Sequence, residues 1–114
     1  MAEPIYKIVA INDWANARKS GQLTGTPVDI ADGYIHFSTV AQLAETLEKH
    51  YRGATGLVLA TIEPDLIGTD LIWEPSRGGQ LFPHLYAPLP MAAVIAERSL
   101  DAWPDGGFDL PEVS

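Results

Sequence analysis

An alternation of polar and apolar side chains marks residues 34–38 of the chain. Tyr34, His36 and Ser38 occupy every second position, and Ile35 and Phe37 lie between them. Because successive side chains of a β-strand point to opposite faces, the pattern predicts a strand with one apolar and one polar face. The polar face would hold an imidazole beside two hydroxyl groups, so it is a candidate binding surface.

A second strand with a histidine is predicted around residue 84. Phe82, His84 and Tyr86 share one of its faces. Pro83 favours an edge strand, since proline has no N–H to donate to a ladder. Edges border clefts, so His84 is expected to be partly exposed. Together the two strands predict a common pocket that both histidines line.

Other apolar segments predict four more strands, at residues 5–11, 57–62, 70–74 and 92–98. The first two are apolar on both faces, as interior strands are. Within residues 70–74, Leu71 and Trp73 are expected to point inward. The alanines of the last segment leave a helix as an alternative there.

The clearest helix follows the first histidine strand. Thr39 and Gln42 match a capping box, in which each side chain bonds the backbone N–H of the other residue. Apolar positions then recur at helical spacing from Val40 to Tyr51, and Gly53 is expected to end the helix. The histidine strand therefore runs into a helix N-terminus, whose free N–H groups favour oxygen-rich ligands.

A shorter helix is predicted over residues 14–20, with Asn12 or Asp13 as its cap and Gly21 as its end. Residues 22–32 contain glycine and proline without periodicity, which favours a loop that crosses the site. The strands cluster late in the chain instead of alternating with helices. That order indicates an α+β domain.

Length and charge limit the classes to which the chain can belong. Its 114 residues are expected to form a single domain, in which residues 101–114 are a surface-wrapping or frayed tail. The 7 Lys+Arg against 15 Asp+Glu give a formal net charge of -8, which argues against a nucleic-acid partner. The chain has no cysteine and no apolar run near the ~20 residues of a membrane span. We therefore expect a cytoplasmic protein with no membrane partner.

Two charged residues near a glycine-rich segment add candidate chemistry. Glu74 can act as a general base or hold a ribose hydroxyl, and Arg77 can clamp a phosphate or carboxylate. A solvated strand end accounts for Glu74 equally well, and a solvent-facing loop position accounts for Arg77 better than a clamp does. Many histidines, moreover, are hydrogen-bonded structural residues. His36, Glu74 and His84 would also make a metal set of two histidines and one carboxylate, but no local ligand spacing supports it. No P-loop, Gly-x-Gly-x-x-Gly or Gly-x-Ser-x-Gly motif is present.

Residues 32–39, Asp-Gly-Tyr-Ile-His-Phe-Ser-Thr, carry a resemblance to a small bacterial domain-of-unknown-function family. Ile-Tyr-Lys-Ile at residues 5–8, the Trp73-Glu74 pair and Phe-Pro-His-Leu-Tyr at residues 82–86 belong to the same pattern. That family is grouped by structure with the ADP-ribosyltransferase fold. The resemblance covers about residues 5–98. It implies a split, strongly bent mixed β-sheet with two or three helices, and a cleft that holds NAD in true transferases.

The resemblance also implies roles for individual residues. In those transferases a His-x-Ser or His-x-Thr strand binds the nicotinamide ribose, a later tyrosine stacks on the nicotinamide ring, and a glutamate supports the reacting ribose. His36 and Ser38 match the strand. Tyr86 and Glu74 are candidates for the other roles, although the usual order is Tyr then Glu, and Glu97 would restore that order. NAD is thus the cofactor that the resemblance implies, whereas the residues alone identify none.

The candidate site combines these observations. Its catalytic candidates are His36, Glu74 and His84, and its ligand-binding candidates are Tyr34, Ser38, Thr39, Arg77 and Tyr86. The leading hypothesis is a small-molecule site for NAD or an ADP-ribose-like nucleotide. One alternative is phosphoester chemistry with paired histidines as general acid and base. Another is a non-catalytic interaction module that uses the aromatic surface of Trp73, Phe82 and Trp103.

Overall fold

A computed structural model describes residues 3–75 and 79–100, which form an α+β fold. The predicted tail at residues 101–114 and the candidate Arg77 lie outside the described residues. The α-helices are Ile11–Ser20 (α1), Pro27–Asp32 (α2) and Val40–His50 (α3). The strands are Ile5–Ala10 (β1), Gln22–Leu23 (β2), Ile35–His36 (β3), Leu57–Ile62 (β4), Leu71–Pro75 (β5), Leu81–Leu85 (β6), Leu89–Pro90 (β7) and Val94–Leu100 (β8). Among the described helices, none is long and apolar enough to span a membrane.

The strands belong to three sheets, with the orders β1-β4-β8, β3-β6-β5 and β2-β7. Every pairing between the described strands is antiparallel, so the expected mixed sheet is wrong for this part of the chain. One backbone bridge joins the first two sheets. In it, the Tyr6 N–H donates to the Ser38 carbonyl at 2.8 Å and the Ser38 N–H donates to the Tyr6 carbonyl at 2.9 Å. This bridge places β3 and its histidine beside β1.

The sheet β1-β4-β8 separates two apolar clusters. Val58, Ala60 and Ile62 face one cluster, which also contains Trp14 of α1. Leu59 and its neighbours face the other cluster, against the buried leucines of α3. Strand β4 is therefore the central strand that its apolar composition predicts, because both of its faces are covered. Strand β1 is also apolar on both faces, but it lies at the edge of its sheet.

Residues 22–32 are not the loop that their composition predicts, since they contain β2 and α2. A capping box starts α2: the Thr26 N–H donates to Asp29 Oδ2 at 2.8 Å, and the Asp29 N–H donates to Thr26 Oγ1 at 3.4 Å. Pro27 occupies the first helical position, where a missing N–H costs nothing. Gly33 ends the helix with φ 89°, a left-handed conformation that glycine adopts without strain. The helix has only 6 residues, too few to show a hydrophobic period.

Replacing Thr26 with alanine should lower the free energy of unfolding by about 1 kcal/mol, because it removes the hydroxyl that caps α2. Urea unfolding at neutral pH measures the change. Thr24→Ala is the matched control, since Thr24 is exposed and precedes the helix; its effect should stay within about 0.5 kcal/mol. Equal effects of the two substitutions would show that the capping bond adds no stability.

Strand β6 is the central strand of its sheet, not the edge strand that Pro83 predicts. The Pro83 carbonyl accepts the Phe37 N–H at 3.0 Å, so the side of Pro83 that lacks an N–H faces β3. The ladder between β3 and β6 has only two residue pairs and has already ended at this point. Proline is therefore tolerated here. His84 is 2% exposed, which corrects the expectation of partial exposure.

The first histidine strand is shorter than predicted. Its ladder contains only Ile35 and His36, and Ser38 forms the isolated bridge to β1. The expected alternation is confirmed on the apolar side, since Ile35 and Phe37 are buried. In β5, the inward position expected for Trp73 is wrong, because its side chain is 44% exposed.

The helix ends match the sequence signals in part. The Thr39 N–H donates to Gln42 Oε1 at 3.0 Å, which confirms the predicted start of α3. Gly21 ends α1 with φ 88°, also as predicted. Helix α1 begins earlier than expected, at Ile11, and no side chain caps it. At the end of the described chain, residues 94–100 form a strand, so the helical alternative is wrong for them.

Candidate functional site

Four aromatic rings meet where β3 pairs with β6, and we call them the ring cluster: Tyr34, His36, His84 and Tyr86. His36 and His84 are direct cross-strand partners with ring centroids 5.4 Å apart. Tyr34 stacks on His84 at 4.2 Å, with an angle of 24° between the ring planes. The expected proximity of the two histidines is therefore observed.

His84 is held by Glu74 from the neighbouring strand β5. Its Nδ1 lies 2.8 Å from Glu74 Oε1, and the Tyr86 hydroxyl donates to the same oxygen at 2.7 Å. The hydrogen bond from Tyr86, and then that from His84, lower the pKa of Glu74. The same carboxylate raises the pKa of Tyr86 to about 12. An ionised carboxylate only accepts, so in the neutral imidazole the Glu74 contact places the proton on Nδ1 and leaves a lone pair on Nε2.

His36 has carboxylates at both ring nitrogens. Its Nδ1 lies 2.7 Å from Asp29 Oδ1, and its Nε2 lies 3.0 Å from Asp32 Oδ2. Because carboxylates only accept, both contacts are hydrogen bonds when both ring nitrogens carry a proton. The protein thus uses both nitrogens of His36, whereas the described residues bond only one nitrogen of His84. The two imidazoles occupy different electrostatic environments.

A buried ion pair underlies the ring cluster and was not anticipated from the sequence. The Lys7 ammonium contacts Asp29 Oδ2 at 2.9 Å and Oδ1 at 3.1 Å, and both side chains are almost fully buried. Burial alone would raise the pKa of Asp29, but the His36 hydrogen bond and the Lys7 charge outweigh it and lower that pKa. Burial lowers the pKa of Lys7 against the opposing effect of Asp29. The signals that could have found this pair are a lysine inside an apolar strand and a carboxylate in a capping box.

Two cavities flank the ring cluster. The larger, of about 390 Å³, is lined by His36, His84 and Ser38 together with polar groups of β1 and α3. The smaller, of about 230 Å³, is lined by Tyr34 and Tyr86. The larger volume lies within the ~300–1,000 Å³ typical of small-molecule sites. The histidines and the tyrosines of the cluster therefore face different cavities.

The other candidate residues take several positions. The Ser38 hydroxyl lies 3.2 Å from the Thr46 hydroxyl and lines the larger cavity. Thr39 begins α3 and lines neither cavity. Glu97 bonds Trp14 and Arg18, on α1, so it does not join the ring cluster. Of the two glutamates, Glu74 is the one that contacts the ring cluster, at His84 and Tyr86.

The described residues also bear on two hypotheses drawn from the sequence, the metal set and the interaction module. No group of three or more His, Asp or Glu side chains in residues 3–75 and 79–100 is arranged to hold a metal ion. Of the three aromatic residues expected to form the surface of an interaction module, Trp73 is exposed. Phe82 is buried and lines the larger cavity, while Trp103 lies outside the described residues.

Comparison with known protein families shows which family the chain belongs to. A family model described as protein of unknown function (DUF952) matches residues 8–97, which include the whole ring cluster. The chain belongs to this family. A search of curated proteins finds no match.

Two solved structures of one bacterial protein, CC0527 from Caulobacter crescentus, share the fold. The X-ray crystal structure is 45% identical in sequence, with a TM-score of 0.90 and 93% of each chain covered. The solution NMR structure is 46% identical, with a TM-score of 0.81, and the match covers 91% of this chain and 90% of that one. The α+β architecture is therefore shared by this member of the DUF952 family and CC0527.

Proposed function

We propose that the larger cavity binds NAD or an ADP-ribose-like nucleotide, with His36 and His84 in contact with the bound ligand. The observation that carries the proposal is the pair of imidazoles, 5.4 Å apart, beside a cavity of about 390 Å³. This volume is at the small end of ligand sites, so it suits a nucleoside unit, with the rest of a dinucleotide outside it.

The resemblance to ADP-ribosyltransferases supports this ligand class, and an ADP-ribosyltransferase-like fold is part of the proposal. Two three-stranded sheets joined by one bridge are compatible with a split sheet. His36 and Ser38 take the part of the His-x-Ser strand beside the ligand ribose. Glu74 takes the part of the carboxylate, because it contacts His84 whereas Glu97 bonds α1.

The proton transfer proposed for this site uses His84. Its Nε2 lone pair takes a proton from a ligand hydroxyl, while Glu74 stabilises the imidazolium that forms. Tyr86 holds the Glu74 carboxylate in place through its hydroxyl. His36, already bonded to two carboxylates, positions the ligand rather than accepting a proton.

A thermal-shift screen tests the ligand class. Saturating NAD or ADP-ribose should raise the melting temperature by several degrees, because a ligand that binds only the folded state stabilises it. The same ligands should raise the melting temperature of the His84→Gln variant by less. Lysozyme, a protein of similar size, controls for non-specific effects of the nucleotides. If no nucleotide shifts the melting temperature of the wild-type protein, the proposal is wrong.

Phosphoester chemistry is a second candidate, favoured by the different environments of the two imidazoles. A pair of histidines works as general acid and general base when one is protonated and the other is not. His36 has a carboxylate at each ring nitrogen, whereas His84 has a carboxylate at Nδ1 only, so the two rings are not equivalent. Hydrolysis of a 2′,3′-cyclic nucleotide with a bell-shaped pH profile would support this chemistry over simple nucleotide binding.

A further inference from the structure

The wall of the larger cavity around Lys7 and Tyr51 carries hydrogen-bond donors that the described residues do not fully use. We propose that Lys7 and Tyr51 bind a phosphate or carboxylate group of the ligand there. The inference rests on the proposed function, because it assigns a subsite within the same cavity. This subsite differs from the histidines in its chemistry, because it binds a ligand group that only accepts hydrogen bonds.

The Asp29 carboxylate at this wall has no acceptor capacity left for a ligand. Its Oδ1 accepts the Lys7 ammonium at 3.1 Å, the His36 backbone N–H at 3.1 Å and the His36 ring at 2.7 Å. Its Oδ2 accepts the Thr26 N–H at 2.8 Å and the Lys7 ammonium at 2.9 Å. A carboxylate offers about four lone-pair sites, so these five contacts occupy it fully. At this wall, therefore, the protein can offer a ligand only hydrogen-bond donors.

Lys7 is the first of those donors. Its side chain is 4% exposed, and its ammonium carries three N–H groups and bonds only Asp29 among the described residues. Two of these N–H groups bond the two carboxylate oxygens of Asp29. The third N–H has no protein partner in the described part of the chain. A buried ammonium strongly favours a further acceptor, because leaving an N–H of a buried charge unbonded is costly.

Tyr51 is the second donor. Its side chain lines the same cavity, and its hydroxyl bonds no other described residue. Burial, and then the charge of Asp29, raise the pKa of Tyr51, so the hydroxyl keeps its proton. Ser38 and Thr46, whose hydroxyl groups bond each other, line the same cavity. The Lys7–Asp29 pair also links β1 to α2, and the Tyr51 ring packs against the apolar cluster of α3, but neither contact uses the Tyr51 hydroxyl or the third N–H of Lys7.

Comparing AMP with adenosine isolates the contribution of the phosphate. Calorimetry should show that the wild-type protein binds AMP more tightly than adenosine. Tyr51→Phe removes one hydroxyl without changing the shape of the ring, and it should weaken AMP binding about 5- to 10-fold while leaving adenosine binding unchanged. Tyr6→Phe is the matched control, because Tyr6 lines neither cavity, and it should bind both ligands as the wild type does.

Lys7 needs a paired substitution, since removing it alone leaves a buried carboxylate without a partner. Lys7→Met combined with Asp29→Asn removes both charges, and circular dichroism checks that the variant folds. The folded variant should lose the preference for AMP over adenosine. If it does not fold, Tyr51→Phe decides the question alone.

The outcomes separate the subsite from the proposed function. Equal affinity of the wild-type protein for AMP and adenosine overturns the subsite and leaves the nucleotide site intact. If neither binds, the proposed function fails, and phosphorus NMR with inorganic phosphate then tests the subsite by itself. Phosphate binding that Tyr51→Phe weakens supports the subsite, and the absence of phosphate binding overturns it.

Discussion

Replacing Asp29 with alanine should lower the free energy of unfolding by about 3–5 kcal/mol, the usual loss when one partner of a buried ion pair is removed. The substitution leaves the Lys7 ammonium buried without a counter-charge. It also removes half of the capping box of α2 and the carboxylate that holds His36. Because small domains are stable by only about 5–15 kcal/mol, the variant should be near the limit of folding.

Urea unfolding at pH 7 measures this loss. Asp32→Ala is the matched control, because Asp32 also contacts His36 but is 48% exposed, and its substitution should cost less than about 1 kcal/mol. The loss of unfolding free energy for Asp29→Asn should fall between those for Asp29→Ala and Asp32→Ala. The amide oxygen still accepts hydrogen bonds, but the charge is lost. An unchanged urea midpoint for Asp29→Ala would mean that the buried pair contributes no net stability.

The same carboxylate predicts a pH dependence. Folding lowers the pKa of Asp29 from its ordinary value of 3.8, so the unfolded chain binds a proton more readily than the folded protein does. The stability contributed by Asp29 is therefore complete above the pKa of the unfolded chain. It is lost as the pH falls below that value toward the lower pKa of the folded protein. The wild-type protein should lose stability more steeply below about pH 4 than Asp29→Asn does.

Substitution of either histidine of the ring cluster should weaken the binding of ADP-ribose by about 1–3 kcal/mol, because His84→Gln displaces the Nε2 acceptor and His36→Gln removes the ring that packs against the ligand. His36→Gln and His84→Gln keep a hydrogen-bonding end while removing the ring and its titration. The double variant should lose less than the sum of the two single losses, because neighbouring groups that contact one ligand are coupled by at least about 0.5 kcal/mol. Calorimetric titration measures all the affinities.

His50→Gln provides the comparison for this cycle. His50 lines the same cavity from the exposed end of α3, but it lies outside the ring cluster. The loss of binding free energy caused by His50→Gln should add to the loss caused by His84→Gln, without coupling. If the losses at His36 and His84 are strictly additive, or if the substitutions lower the melting temperature and leave binding unchanged, the two rings do not share a ligand.

The parts of the fold that were predicted correctly depend on local sequence signals. The capping box at Thr39 and Gln42, the left-handed end at Gly21 and the apolar strand β4 each express an interaction among residues close in the chain. A common pocket for His36 and His84 was also predicted, because each lies on the polar face of an alternating strand, but the direct pairing of the two strands was not.

The errors come from long-range contacts and from one short helix. Lys7 and Asp29 are 22 residues apart, and neither position reveals the other without the tertiary structure. Helix α2 is too short for a periodic signal, although its capping residues were present in the sequence. The burial of His84 depends on where the β3 ladder ends opposite Pro83, which no local pattern specifies.

The central claim is that the larger cavity binds a nucleotide against His36 and His84. The chain has 3 histidines, so long-range proton–nitrogen NMR gives one resolvable set of ring signals for each, and the His→Gln variants assign them. During titration with ADP-ribose, the ring-nitrogen shifts of His36 and His84 should move together and saturate at one dissociation constant. Ring signals that stay unchanged for both histidines, with either ADP-ribose or NAD, would contradict the claim.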